Sequence, residues 1–202
     1  MLMVGKQDDK EYDPMNKSVK KYKIYFMFSY TGTLYSKLLR RILRVKYTHV
    51  SICLDQKTAT MYSFGRKNPP FMFPSGFVKE SLTMVNQTYK KTICEIYELE
   101  ITDSKYFLLK ENLEKFISHQ DEYAYNILGL IPLGFNIAIR RNRHFVCSQF
   151  VGKLIQETGI YDLKKDYSLI KPYDIKKISH LNKIYEGSLS DYLSLPLKLK
   201  QS

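Results

Sequence analysis

Four short runs rich in β-branched and aromatic residues constrain the fold more than anything else in this sequence. Lys23-Ile24-Tyr25-Phe26-Met27-Phe28-Ser29, ending at Thr31-Gly32, reads as a buried strand. Tyr47 to Leu54 and Thr60 to Phe64 read as two more, joined by the polar Asp55-Gln56-Lys57 turn, and Thr92 to Ile101 as a long fourth. Between the first two, Leu34, Leu38, Leu39, Ile42 and Leu43 recur at helical spacing with Lys37, Arg40, Arg41 and Arg44 on the other face. Tyr106, Leu109, Leu113, Phe116 and Ile117 mark a later amphipathic helix, and Phe150, Val151, Leu154 and Ile155 another that closes at Gly159. Strands crowd the first half and helices the second, without a β-α rhythm, so the expected class is α+β: a small antiparallel sheet packed against helices.

With 202 residues and 44% hydrophobic content, one domain can bury a sizeable core. Residues 1–20 are polar, hold Asp8, Asp9, Glu11, Asp13 and Pro14, and read as a mobile leader to a single domain over 21–202. Arg66 to Gly76, with Pro69, Pro70 and Pro74 among Phe71, Met72 and Phe73, reads as an ordered loop over one edge. The longest apolar region, Ile127 to Ile139, is interrupted by Gly129, Pro132 and Gly134 and is too short to span a bilayer, which takes about 20 residues. Three cysteines without paired spacing make no disulfide framework, and no secretory signal is visible, so a reducing cytoplasm is the expected compartment. The net charge is +12, and Lys17 to Lys46 holds nine basic residues and no acidic one. That charge is either a solvated surface enriched by lysine-rich coding or a face for an anionic partner.

The chemistry concentrates at Arg143-His144-Phe145-Val146-Cys147-Ser148-Gln149-Phe150-Val151, which puts a cysteine where a helix begins. Unpaired amides and the positive end of the helix dipole favour thiolate there, the attacking form. A thiol nucleophile needs a base, and the chain has four histidines. His119 and His180 lie in polar stretches that face solvent, and His144 has basic neighbours in Arg141 and Arg143 that disfavour imidazolium. His49 stands inside the apolar run Tyr47-Thr48-His49-Val50-Ser51-Ile52, as a base for Cys147 or as a core imidazole. A zinc site from His49, Cys53, His144 and Cys147 fails on geometry: residues four apart on a strand are about 13 Å apart at about 3.3 Å per residue. Cys53 and Cys94 read as core residues.

A histidine strand of this kind, then Met61-Tyr62-Ser63-Phe64-Gly65-Arg66, then a Cys-Ser-Gln-Phe-Val helix start resembles the circularly permuted NlpC-type papain-like thiol hydrolases, distantly the lecithin retinol acyltransferase group. The likeness runs from about Tyr22 to Asp174 and includes Ser168-Leu169-Ile170-Lys171-Pro172-Tyr173-Asp174, similar to the proline-containing segment after the catalytic helix. It implies a permuted papain-like fold, Cys147 as nucleophile and His49 as base. The third position, which orients the imidazole, falls on Ser63 where relatives hold His, Glu or Gln; Glu80 is the alternative. Tyr125 and the Cys147 amide match the oxyanion donors. No cofactor or metal is implied.

The expected activity is therefore cysteine-dependent acyl hydrolysis or transfer on an amide, ester or thioester of a peptide or acyl-ester substrate. A different class stays open: a catalytically silent module that docks on an anionic membrane through Lys37, Arg40, Arg41 and Arg44. The sequence shows no aromatic-basic RNA motif and no recognition helix to favour nucleic acid.

Overall fold

The computed structural model of the protein describes residues 20–55, 60–68, 71 and 73–196. Strand β1 (Lys21–Tyr30) leads through helix α1 (Leu34–Leu43) to β2 (His49–Cys53), β3 (Thr60–Arg66) and β4 (Ser75–Ser81). Helix α2 (Leu82–Thr88), β5 (Ile93–Thr102) and the long α3 (Asp103–Ser118) follow, then β6 (Ala124–Tyr125), α4 (Ile127–Gly134) and β7 (His144–Phe145). Helix α5 (Cys147–Glu157), the single-turn α6 (Pro172–Ile175), β8 (Asn182–Ser188) and α7 (Leu189–Ser194) complete the chain. Secondary structure is thus mixed α+β, and the sheet is larger than the sequence suggests: eight strands in the order β7-β6-β4-β3-β2-β1-β5-β8.

Neighbouring strands are antiparallel except β6 and β7, which run parallel. The ladder between β1 and β5 runs from Lys21 opposite Thr102 to Tyr30 opposite Ile93 and forms the spine of the sheet. Strand alternation then sorts side chains to two faces. Ile24, Phe26, Phe28, Val50, Ile52 and Phe64 pack against Leu109, Leu113 and Phe116 of α3 and Phe150, Val151, Leu154 and Ile155 of α5. Met27, Cys53, Met61 and Ile96 pack on the opposite side against Leu82 of α2 and Leu189 and Tyr192 of α7. Helices therefore cover both faces. A smaller cluster joins Leu39 and Leu43 of α1 to Leu130 and Leu133 of α4.

Helix ends follow local chemistry. The Thr33 side chain accepts from the Ser36 amide to start α1, and Arg44 ends it in the left-handed region at φ 54°. Gly159, at φ +61°, lets the Ile160 amide turn back to the Ile155 carbonyl at 3.1 Å and close α5.

Three elements depart from the sequence reading. The proline-rich loop is shorter than Arg66 to Gly76, because Ser75 and Gly76 already pair with Arg66 and Gly65 as the start of β4. That strand reads weakly because Phe77 and Val78 are followed by Lys79, Glu80 and Ser81; pairing on both edges, not propensity, makes it a strand. β8 is an edge strand of polar character held by its ladder to β5. The expected leader over 1–19, the turn residues Gln56 and Lys57, and Pro69, Pro70 and Met72 lie outside the described residues.

Gly152, on the buried side of α5, sits where an added Cβ would lie 2.4 Å from Ile170 Cδ1. Gly152→Val is expected to lower stability by roughly 1–3 kcal/mol through overpacking. Urea unfolding of Gly152→Val, Ile170→Ala and the double variant checks this: the pair should lose less than the sum of the single changes if the clash is the cause.

Candidate active site

Cys147 is the first residue of α5, and the turn it opens is anchored on the segment that returns past it. Ser148 Oγ donates to the Ile170 carbonyl at 2.6 Å and Gln149 Nε2 to the Ser168 carbonyl at 2.8 Å. Gln149 Oε1 accepts the Val146 amide at 3.0 Å. These bonds use side chains, leaving the Cys147 amide in a helical turn whose first N–H groups have no intrahelical acceptor. The thiol is buried, 4% exposed, with its sulfur 3.9 Å from the Thr48 carbonyl.

That carbonyl belongs to the residue before β2, so the strand's first side chain, His49, arrives beside the sulfur. On one side the Cys147 side chain is near enough to raise the His49 pKa. The ring Nε2 lies 3.3 Å from Glu80 Oε2 on the other. The imidazole and the carboxylate are partly shielded, 23% and 19% exposed. Burial alone opposes the charged ring, but the Glu80 carboxylate and the Cys147 side chain outweigh it and hold the His49 pKa well above its usual 6.5.

Ser63 does not take the orienting position. It is fully buried and donates its hydroxyl to the Val50 carbonyl at 2.7 Å, which ties β3 to β2. The carboxylate comes from the next strand instead: Glu80 on β4 reaches the ring across β3, where Gly65 leaves room. A Cβ at Gly65 would stand 3.5 Å from Glu80 Oε1 and 3.7 Å from His49 Cε1. The polar partner of the imidazole is thus Glu80 and not Ser63: the ring nitrogen meets the Glu80 carboxylate, while the Ser63 hydroxyl is turned to the Val50 carbonyl.

Tyr125 stands beside the thiol because β6 pairs with β7 in the register Tyr125 opposite Phe145, two residues before Cys147. Tyr35 on α1 is its neighbour at the same cleft. Burial and then the nearby Cys147 push the Tyr125 pKa well above 10, so its hydroxyl keeps its proton at neutral pH. Tyr35 was not legible as a site residue: on an amphipathic helix one tyrosine looks like any other.

His49, Glu80, Tyr35, Tyr125 and Arg66 border one cleft with a volume of about 100 Å³. Cys147 lies behind this wall, next to Thr48 and His49. Arg66 also lies over the Tyr89 ring at 5.0 Å, at the same cleft. Ser75, the first residue of β4, joins the lining, whereas Phe71 and Phe73 of the proline-rich loop are exposed.

The other histidines are placed elsewhere. His119 contacts Ser118 and the Lys115 carbonyl, His144 Nδ1 lies 2.6 Å from the Asn142 carbonyl, and His180 is exposed. Cys53 donates to the Asp55 carbonyl, and burial pushes its pKa to about 11 and that of Cys94 to about 12. Among the described residues no group of three or more His, Cys, Asp and Glu side chains is placed to hold a metal ion. No family model matches this chain, and neither does any curated protein or solved structure.

Since His49 is more basic in the folded chain than unfolded, its contribution to stability is full below about pH 6.5 and is lost as pH rises through the higher folded value. Glu80→Gln should bring the His49 titration midpoint down, and Ser63→Ala should leave it in place. The His49 ¹³Cε1 shift followed across pH reads both; an unmoved midpoint in Glu80→Gln would separate Glu80 from the imidazole.

Proposed function

We propose that the chain is a cysteine-dependent acyl hydrolase or acyltransferase with a permuted papain-like arrangement, acting on an amide, ester or thioester. The carrying observation is that one imidazole, at the edge of a cleft, contacts a carboxylate and lies beside a helix-start cysteine that raises its pKa. The chain order supports the permuted reading: the histidine strand precedes the cysteine helix, and that helix lies across the same sheet.

In this reading Glu80 holds Nε2 and stabilises the imidazolium, leaving Nδ1 to take the thiol proton. The thiolate attacks the acyl carbonyl from the cleft side, between His49 and Tyr125. The oxyanion is met, in this reading, by the Cys147 amide and the Tyr125 hydroxyl. His49 then returns the proton to the leaving group, and an acyl-enzyme remains on sulfur until water or a second nucleophile takes the acyl group. Arg66 adds a positive charge at the cleft, which suits a substrate with an anionic part.

Alkylation by iodoacetamide, read by peptide mass spectrometry at all three cysteines, tests the site. Cys147 should react far faster than Cys53 and Cys94, whose thiols are buried and of raised pKa, and His49→Ala should remove the advantage. Equal reactivity at all three, or no effect of His49→Ala, overturns the enzyme reading. On an activated acyl ester, Tyr125→Phe is expected to slow acylation about 10²-fold while alkylation of Cys147 persists, because alkylation forms no oxyanion.

A further inference from the structure

Helices α1 and α4 meet through Leu39, Leu43, Leu130 and Leu133, and Gly134 lets the backbones approach: a Cβ there would lie 2.9 Å from Ile42 Cγ2. Their outward sides are apolar as well. Leu34 and Leu38 on α1 are 84% and 55% exposed, and Leu128, Ile131 and Phe135 on and just after α4 are 67%, 59% and 75% exposed, followed by Ile137. These six are nearly half of the large hydrophobic side chains exposed among the described residues, so the exposure is concentrated, not scattered.

Charge accompanies it. At about 100° per residue, Leu34 and Leu38 lie within about 40° of each other on α1, and Arg41 and Lys37 come next around the helix. Arg40 and Arg44 complete a basic side, and all four cations are exposed. Arg140, Arg141 and Arg143 follow α4. Residues 14–54 and 123–156, which contain both helices, hold no Asp or Glu. Arg140 pairs with Asp166 and Arg143 with Glu122, so the charge rests chiefly on the α1 cations; exposed apolar tips beside these match a bilayer interface, where apolar groups enter the acyl boundary and cations meet phosphate headgroups.

We propose that the α1–α4 face is a docking surface for an anionic phospholipid bilayer. Both helices also border the catalytic cleft, α1 through Tyr35 and Leu39 and α4 through Ile127, so docking sets the cleft mouth near the membrane. The surface does not depend on the thiol chemistry, and the two can fail separately.

The test is sedimentation of the full chain with vesicles of phosphatidylcholine alone or with about one third phosphatidylserine, at physiological salt. Binding is expected to the anionic vesicles only. A basic residue near an anionic leaflet is worth about fivefold in partitioning, so Arg40→Glu with Arg41→Glu should weaken binding at least tenfold. Ile131→Ser with Phe135→Ser should do the same without changing thermal unfolding, both side chains being exposed. Lys105→Glu with Lys110→Glu on α3 makes the same change in net charge and should bind nearly as wild type. Absence of wild-type binding, equal loss in the α3 variant, or a concentration-dependent dimer that Ile131→Ser with Phe135→Ser abolishes would each overturn the proposal. Cys147 alkylation measured on the same preparations reports whether the catalytic site stands independently.

Discussion

The Phe64 ring, fully buried on β3, touches Phe77, Phe116, Tyr123, Phe145 and Phe150, with ring centroids 5.3–6.3 Å apart. These rings come from β4, α3, the segment before β6, β7 and α5, so one side chain registers most of the molecule. Such pairs contribute about 0.5–1.5 kcal/mol each beyond burial, and their edge and tilted geometries allow little sliding. Because Phe145 and Phe150 flank Cys147, the aromatic cluster also sets where the thiol lies. A close-packed interior transmits a misplaced ring directly to the helix start.

Upon that packing rests a polar arrangement that has to be satisfied locally. The first turn of α5 is buried, and its polar side chains would be costly there without partners. Ser148 and Gln149 solve this by bonding carbonyls of residues 168–170, and Lys171 and Asp174 hold that segment through the Asp174 Oδ2 contact to the Lys171 amide at 2.9 Å. The returning segment is thus an integral support of the cysteine. His49 and Glu80 meet a related demand: at the cleft edge, a shielded imidazole gains from a carboxylate what it loses to burial.

The split between the proposed catalytic and docking features follows the same geometry. Sheet strands and α5 supply the rigid groups His49, Glu80 and Cys147, while α1 and α4 supply one tyrosine to the cleft and turn apolar and basic side chains outward. No helix of the described residues is long and apolar enough to cross a membrane. Contact with a bilayer in the proposed manner is by a surface, with Leu34, Leu38, Ile131 and Phe135 as the apolar tips.

Local pattern alone determined the α+β class, β1 to β3, β5, α1, α3, α5 and the candidate pair Cys147 and His49, because strand alternation, helical spacing and a helix start are written within a few residues of each other. The sequence also isolated His49 among four histidines, since only that one lies in a core-like strand. What tertiary structure decided is the third partner and the roof of the site. Glu80 reaches His49 only because β4 joins the sheet beyond β3; adjacency along the chain pointed to Ser63, whose hydroxyl meets the Val50 carbonyl instead. Tyr35 stands beside Tyr125 only once α1 packs on α4. Contacts between residues far apart in sequence depend on strand order and packing, and these are set by which long-range burial satisfies the most apolar surface and polar groups together, a property of the whole chain.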